Sequence, residues 1–152
     1  MANPFPFVSG AVLTAAQLNG IGETATAYTP TLTNLTLGNG TMNAKYVRIN
    51  KFIFGQISLV FGSTTIMGSS PSFSLPVTGA TIISQTGPQV YILDSGVAFY
   101  VAGANISTTA ITPYAVNVAA TYPTNSSNFS STVPFTWTTN DSINITFQYE
   151  AA

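Results

Sequence analysis

Asp94 and Asp141 are the two carboxylates of this 152-residue chain best placed to work as a pair. A pair is all that glycoside hydrolysis needs, with one group as acid and the other as base or nucleophile. Asp94 lies in DSG and Asp141 in ND, both turn-like, where Asp commonly bonds nearby backbone instead. Glu23 sits in the N-terminal stretch and Glu150 at the chain end, poor places for a preorganised pocket. Histidine and cysteine are absent, which removes the imidazole base and the thiolate nucleophile. Without histidine a serine nucleophile would need a lysine base, and no such spacing occurs. Loop carbonyls beside Asp94 or Asp141 have no calcium-ligand spacing. The residues therefore point to a non-enzyme with no catalytic residue, cofactor or metal site.

Charge is scarce everywhere. Three Lys or Arg and four Asp or Glu make 5% of the chain, against about 25% in ordinary soluble domains. A net charge of −1 gives little mutual repulsion, so the composition suits an oligomer or a subunit of a larger assembly. Lys45, Arg48 and Lys51 are too few to neutralise a run of phosphates, so no nucleic-acid partner is expected. In an extended segment Lys45 and Lys51 face one way and Arg48 the other. Met1 to Phe7 holds no basic residue, and the apolar run Phe52–Phe61 is broken by Gly55, Gln56 and Ser58. Neither a secretory leader nor a membrane span is expected.

Residues 1–27 read as an anchoring arm and residues 28–152 as a β-domain. In the arm, Pro4 and Pro6 enforce extended backbone and Phe5 and Phe7 offer apolar anchors. Thr14 and Gln17 then form a capping box, flanked by Leu13 and Leu18 as a hydrophobic staple, and Gly20 stops the helix. So short a helix has no stability of its own in water. Phe5, Phe7, Val12, Leu13 and Leu18 are thus candidate docking residues, on this domain, a sibling subunit or another protein.

From Tyr28 the pattern has period two. Ile143, Ile145, Phe147 and Tyr149 alternate with Asn144, Thr146, Gln148 and Glu150, and Ile53, Ile57, Leu59 and Phe61 share one phase. Phe73, Leu75 and Val77 form another such run, and the phase slips near Asn34, as a bulge would make it. Val97, Phe99 and Val101 alternate with Ala98, Tyr100 and Ala102, which reads as a strand covered on both faces. Asn39-Gly40 suits a tight hairpin, while residues 67–71, 86–89, 94–96 and 125–131 read as loops. The expectation is an all-β, jelly-roll-like antiparallel sandwich of roughly nine or ten strands after an arm with one short helix. Trp137, in VPFTWTT, is either core or interface, or a platform on which a surface glycan stacks.

The stretch VLTAAQLN resembles the N-terminal part of many structural proteins of tailed bacteriophages, above all minor tail and fibre proteins. The likeness continues through LGNGT and the Tyr46, Arg48 and Lys51 strand to Phe73, Leu75 and Pro76, with Asn50 where a glycine is usual. Asn also tolerates the left-handed conformation such a turn needs. The resemblance covers residues 10–77 and implies a virion location, a homotrimer and attachment to other virion proteins through the arm. The expected function is a non-enzymatic fibre, spike, minor tail or head-decoration protein that contributes to host-surface attachment. A carbohydrate-binding β-sandwich module is the alternative from another class.

Overall fold

The computed structural model describes residues 12, 14, 15, 24–81, 87–119, 121 and 123–152. Ten strands form: β1 (Thr26–Tyr28), β2 (Leu32–Thr36), β3 (Thr41–Ile49), β4 (Phe52–Val60), β5 (Ile66–Ser74), β6 (Gln89–Asp94), β7 (Ala98–Ile106), β8 (Ala110–Asn117), β9 (Thr124–Asn128) and β10 (Ser142–Glu150). Only Ala15 is helical among the described residues, and the expected helix beyond it lies outside them.

The all-β expectation holds, but the layering differs from a jelly roll. All ten strands belong to one antiparallel sheet in the order β1-β3-β4-β10-β6-β7-β8-β5-β2, with β9 on β8. Strand β7 is the reason. Its first half pairs with β6 and its second half with β8, so one strand joins what would otherwise be two sheets. Gly103 sits at the changeover, under the ring of Tyr114; a Cβ there would lie 2.4 Å from that ring. The sheet also has to curl. Strands β1 and β2 stand at opposite ends of the order, yet residues 29–31 join them, a link that reaches at most about 14 Å. The result is a curled half-barrel.

Apolar residues on the concave face make the core. Ile53, Ile57 and Leu59 of β4 meet Ile143, Ile145 and Phe147 of β10, with Val90, Ile92, Phe73, Ile111 and Phe129 closing over them. Gly55 faces Phe147 in register, and the phenyl ring occupies the space a Cβ would need.

Three local expectations change. The turn at residues 37–40 forms, but β2 and β3 do not pair across it; β2 pairs with β5 and β3 with β4. The turn is a corner, locked to the next loop where Asn39 N donates to Thr64 Oγ1 and Thr64 N to Asn39 Oδ1, each at 2.9 Å. Gly38, at φ +57°, is its left-handed residue. Residues 67–71 are not a loop but the middle of β5, and most of 125–131 is β9. Pro71 is accommodated because the β2–β5 ladder is interrupted by the bulge between Thr33 and Leu35. Leu75 and Val77 fall beyond β5, in a half-buried bend. The bulge at Asn34 (φ 55°) and the left-handed Asn50 (φ 56°) are as expected.

Candidate functional site

The fold brings the two candidate aspartates to neighbouring turns. Asp141 is fully buried. Its Oδ1 accepts from Ser95 N at 2.9 Å, and its Oδ2 accepts from the backbone N and, at 3.4 Å, the hydroxyl of Thr138. Its own carbonyl accepts from Phe61 N at 2.8 Å. One residue thus ties the β6–β7 turn to the start of β10 and the end of β4. Asp94 begins the β6–β7 turn, its carbonyl accepting from Val97 N at 2.9 Å. Both acidic residues build turns, as DSG and ND suggest.

Trp137 lies half-buried at the edge of the core. Its ring is stacked on Phe61 with centroids 4.9 Å apart and planes 13° apart. Phe135 and Phe129 approach it at 4.6 and 5.5 Å, and Tyr100 continues the row beside Phe135 at 5.4 Å. The indole Nε1 donates to the Ser130 carbonyl at 2.9 Å. One face and the polar atom of this ring are engaged internally. Nearby, a shallow cavity of about 250 Å³ lies between residues 39–41, 60–63 and 139–140 and holds no titratable side chain.

Of the arm's candidate docking residues, Phe5, Phe7, Leu13 and Leu18 lie outside the described residues, and Val12 is exposed. The cations disperse as the alternation predicts. Lys45 is on the convex face, Lys51 in the β3–β4 turn, and Arg48 on the opposite side, its Nε donating to Asn50 O at 2.8 Å.

Inside the curl, Tyr28 and Tyr46 meet edge to face at 5.7 Å, and Tyr149 donates to the Val77 carbonyl at 2.6 Å. Burial, tempered by that hydrogen bonding, pushes the Tyr149 phenol up to about 12. The Tyr28 hydroxyl is buried without a partner among the described residues. Burial, and secondarily Tyr149, hold it well above the ordinary tyrosine value. Both remain neutral phenols at physiological pH.

The convex face carries what sequence reasoning missed. Strand β7 is covered on one side only: Val97, Phe99 and Val101 are 71, 80 and 70% exposed, and half-exposed Tyr91 stands opposite Val101. A second strip occupies the far side of the same face. Ile49 and Phe52 pair across the β3–β4 hairpin, 61 and 55% exposed, with Phe54 beside them. Between the strips runs a polar band, where Ser58 Oγ donates to Asn144 Oδ1 at 2.8 Å and Gln56, Thr146 and Gln148 follow. The signal lay in residue size. Ala98, Ala102 and Ala104 take most of the inward phase of β7, with Tyr100 and Ile106, while Phe99 and Val101 take the outward one. Isolated exposed apolar residues are normal, but contiguous strips mark contact surfaces.

No protein-family model, curated protein or solved structure matches the chain.

Proposed function

We propose that this chain is a non-enzymatic virion structural protein of a tailed bacteriophage. It is a fibre, spike, minor tail or head-decoration subunit that self-associates as a trimer, contributes to host-surface attachment and is held on the particle by residues 1–27. The observation that carries the reading is the convex face, with two exposed apolar strips on a chain whose charged fraction is 5%. Such a surface is costly for a free monomer and natural for a subunit buried against copies of itself. The VLTAAQLN arm and the strand that follows the GNG turn supply the phage assignment by resemblance.

The test is co-sedimentation with phage particles in a density gradient. The intact chain is expected in the particle fraction and a chain lacking residues 1–20 in the soluble fraction. Equal incorporation of both would remove the anchoring role. A monomer that instead binds glycans through the Tyr100, Phe135 and Trp137 row would favour the carbohydrate-binding alternative.

A further inference from the structure

The shallow cleft between residues 39–41, 60–63 and 139–140 lies at the end of the sheet away from the arm. Thr26 pairs with Tyr46 and Tyr28 with Ala44, so the chain enters β1 from the side of the β3–β4 hairpin. Thr41 and Val60, which line the cleft, close the opposite end of the same two strands. Strand β3 is nine residues long, so roughly 27 Å separates the two ends. A subunit held by its arm therefore turns this cleft away from its anchor.

The frame of the cleft is braced and its lining is neutral. Asn39 Oδ1 accepts from Thr64 N and Thr64 Oγ1, both at 2.9 Å, and Asn39 Nδ2 donates to Ser63 Oγ at 3.0 Å. On the other wall Asn140 N donates to the Phe61 carbonyl at 2.9 Å. The Thr41 and Thr139 hydroxyls and the Asn140 side-chain amide have no hydrogen-bond partner among the described residues. The Ser63 hydroxyl, accepting from Asn39, still has its proton to give. Hydroxyls and amides both donate and accept, which is what each hydroxyl of a sugar requires. No charged side chain lines the cleft, and the neighbouring Asp141 carboxylate is committed to Ser95 and Thr138. Val60, partly exposed, and Phe61 supply an apolar wall for the C–H face of a sugar ring.

We propose that this cleft binds one neutral sugar unit of a host-surface glycan, with Thr41, Ser63, Thr139 and Asn140 as its hydrogen-bonding groups. This rests on the attachment role in the reading above and names its site and ligand class. Pockets for drug-sized ligands start at about 300 Å³, so a cleft of about 250 Å³ takes one ring rather than a long segment. One such site binds weakly, and several copies displayed on one oligomer raise the affinity by avidity.

The experiment applies the full chain to arrayed neutral oligosaccharides of hexoses and N-acetylhexosamines, beside sialylated and sulfated counterparts, at low and high salt. Binding to a neutral glycan, unchanged by salt because no charge takes part, is the expected result. Thr139→Val/Asn140→Gly removes a hydroxyl and an amide, while glycine keeps the left-handed backbone of position 140 (φ 72°). It is expected to weaken binding about tenfold or more, and Thr41→Val about threefold, with the fold of each checked by Trp137 fluorescence in urea. Undiminished binding in both variants would overturn the assignment to the cleft. Loss of binding in Tyr100→Ala instead would move the site to the aromatic row. Binding to charged glycans alone, or binding abolished by salt, would overturn the neutral ligand class. A chain that binds no glycan on the array would overturn the proposal, and if that chain still co-sediments with particles the virion reading survives the failure.

Discussion

Replacing Asp141 by Asn separates a structural carboxylate from a catalytic one. The side chain is fully buried, with one oxygen on Ser95 N and the other on Thr138 N. An amide has a single acceptor oxygen, so one of those backbone N–H groups would face an NH₂ donor instead. Losing one hydrogen bond to a charged acceptor costs about 1.5–3 kcal/mol, and leaving its buried donor unpaired brings the sum to about 3–4 kcal/mol. At 1–3 kcal/mol per molar urea, the midpoint should fall by about 1–4 M. Trp137 is the chain's only tryptophan and is stacked on Phe61, whose backbone bonds Asp141 and Asn140. Its fluorescence therefore reports unfolding at the affected corner. Asp141→Ala, which removes both acceptors, should fall further than Asn. Unchanged midpoints in both variants would refute the tether. A glycosidase activity lost in a fully stable Asp141→Asn chain would refute the non-enzymatic reading as well.

Gly55→Ala would place a methyl 2.3 Å from the Phe147 ring; a loss of about 1–3 kcal/mol is expected in urea unfolding. Phe147→Leu in the same chain should recover part of it in a double-mutant cycle. Tyr149→Phe removes a hydroxyl bonded to both the N–H and the carbonyl of Val77 and should cost about 1–2 kcal/mol. Tyr28→Phe, whose hydroxyl has no partner among the described residues, should be neutral or stabilising by the same measurement. The raised phenols also set an alkaline limit. The folded state holds its protons more tightly than the unfolded chain, so their contribution is complete below pH 10 and is lost as pH rises through about 12. Urea midpoints at pH 8 and 11 should diverge in the native chain and converge in the Tyr28→Phe/Tyr149→Phe variant. Phe99→Gln should shift folding stability by no more than about 0.5 kcal/mol, while lowering the mass seen in light scattering.

Much of the fold was legible wherever one face of a strand is wet. The alternation of β10 and of β4 fixed their inward residues, and the phase slip at Asn34 marked a real bulge. Legibility failed where partners override composition. Residues 67–71 look like a loop, yet Gly68 lets the bulged Asn34 carbonyl lie where a Cβ would be, 2.7 Å away, and β5 continues through. The corner at residues 37–40 carries hairpin residues, but its strands leave for opposite ends of the sheet, a long-range choice that local turn chemistry does not encode. The convex strips stayed hidden for a related reason. A strand apolar in both phases does not say which face is open until the small residues are seen to point inward. Asp141 was legible as a turn residue, but not as the tether that reaches Ser95.

In the proposed assembly, copies of this chain cover the exposed apolar strips of the convex face. Light scattering on the full chain tests it most directly. A stable species of three times the 15.9 kDa chain mass is expected, reduced to monomer by Val97→Thr/Phe99→Gln. A monomer at every concentration, unchanged by that substitution, would contradict it.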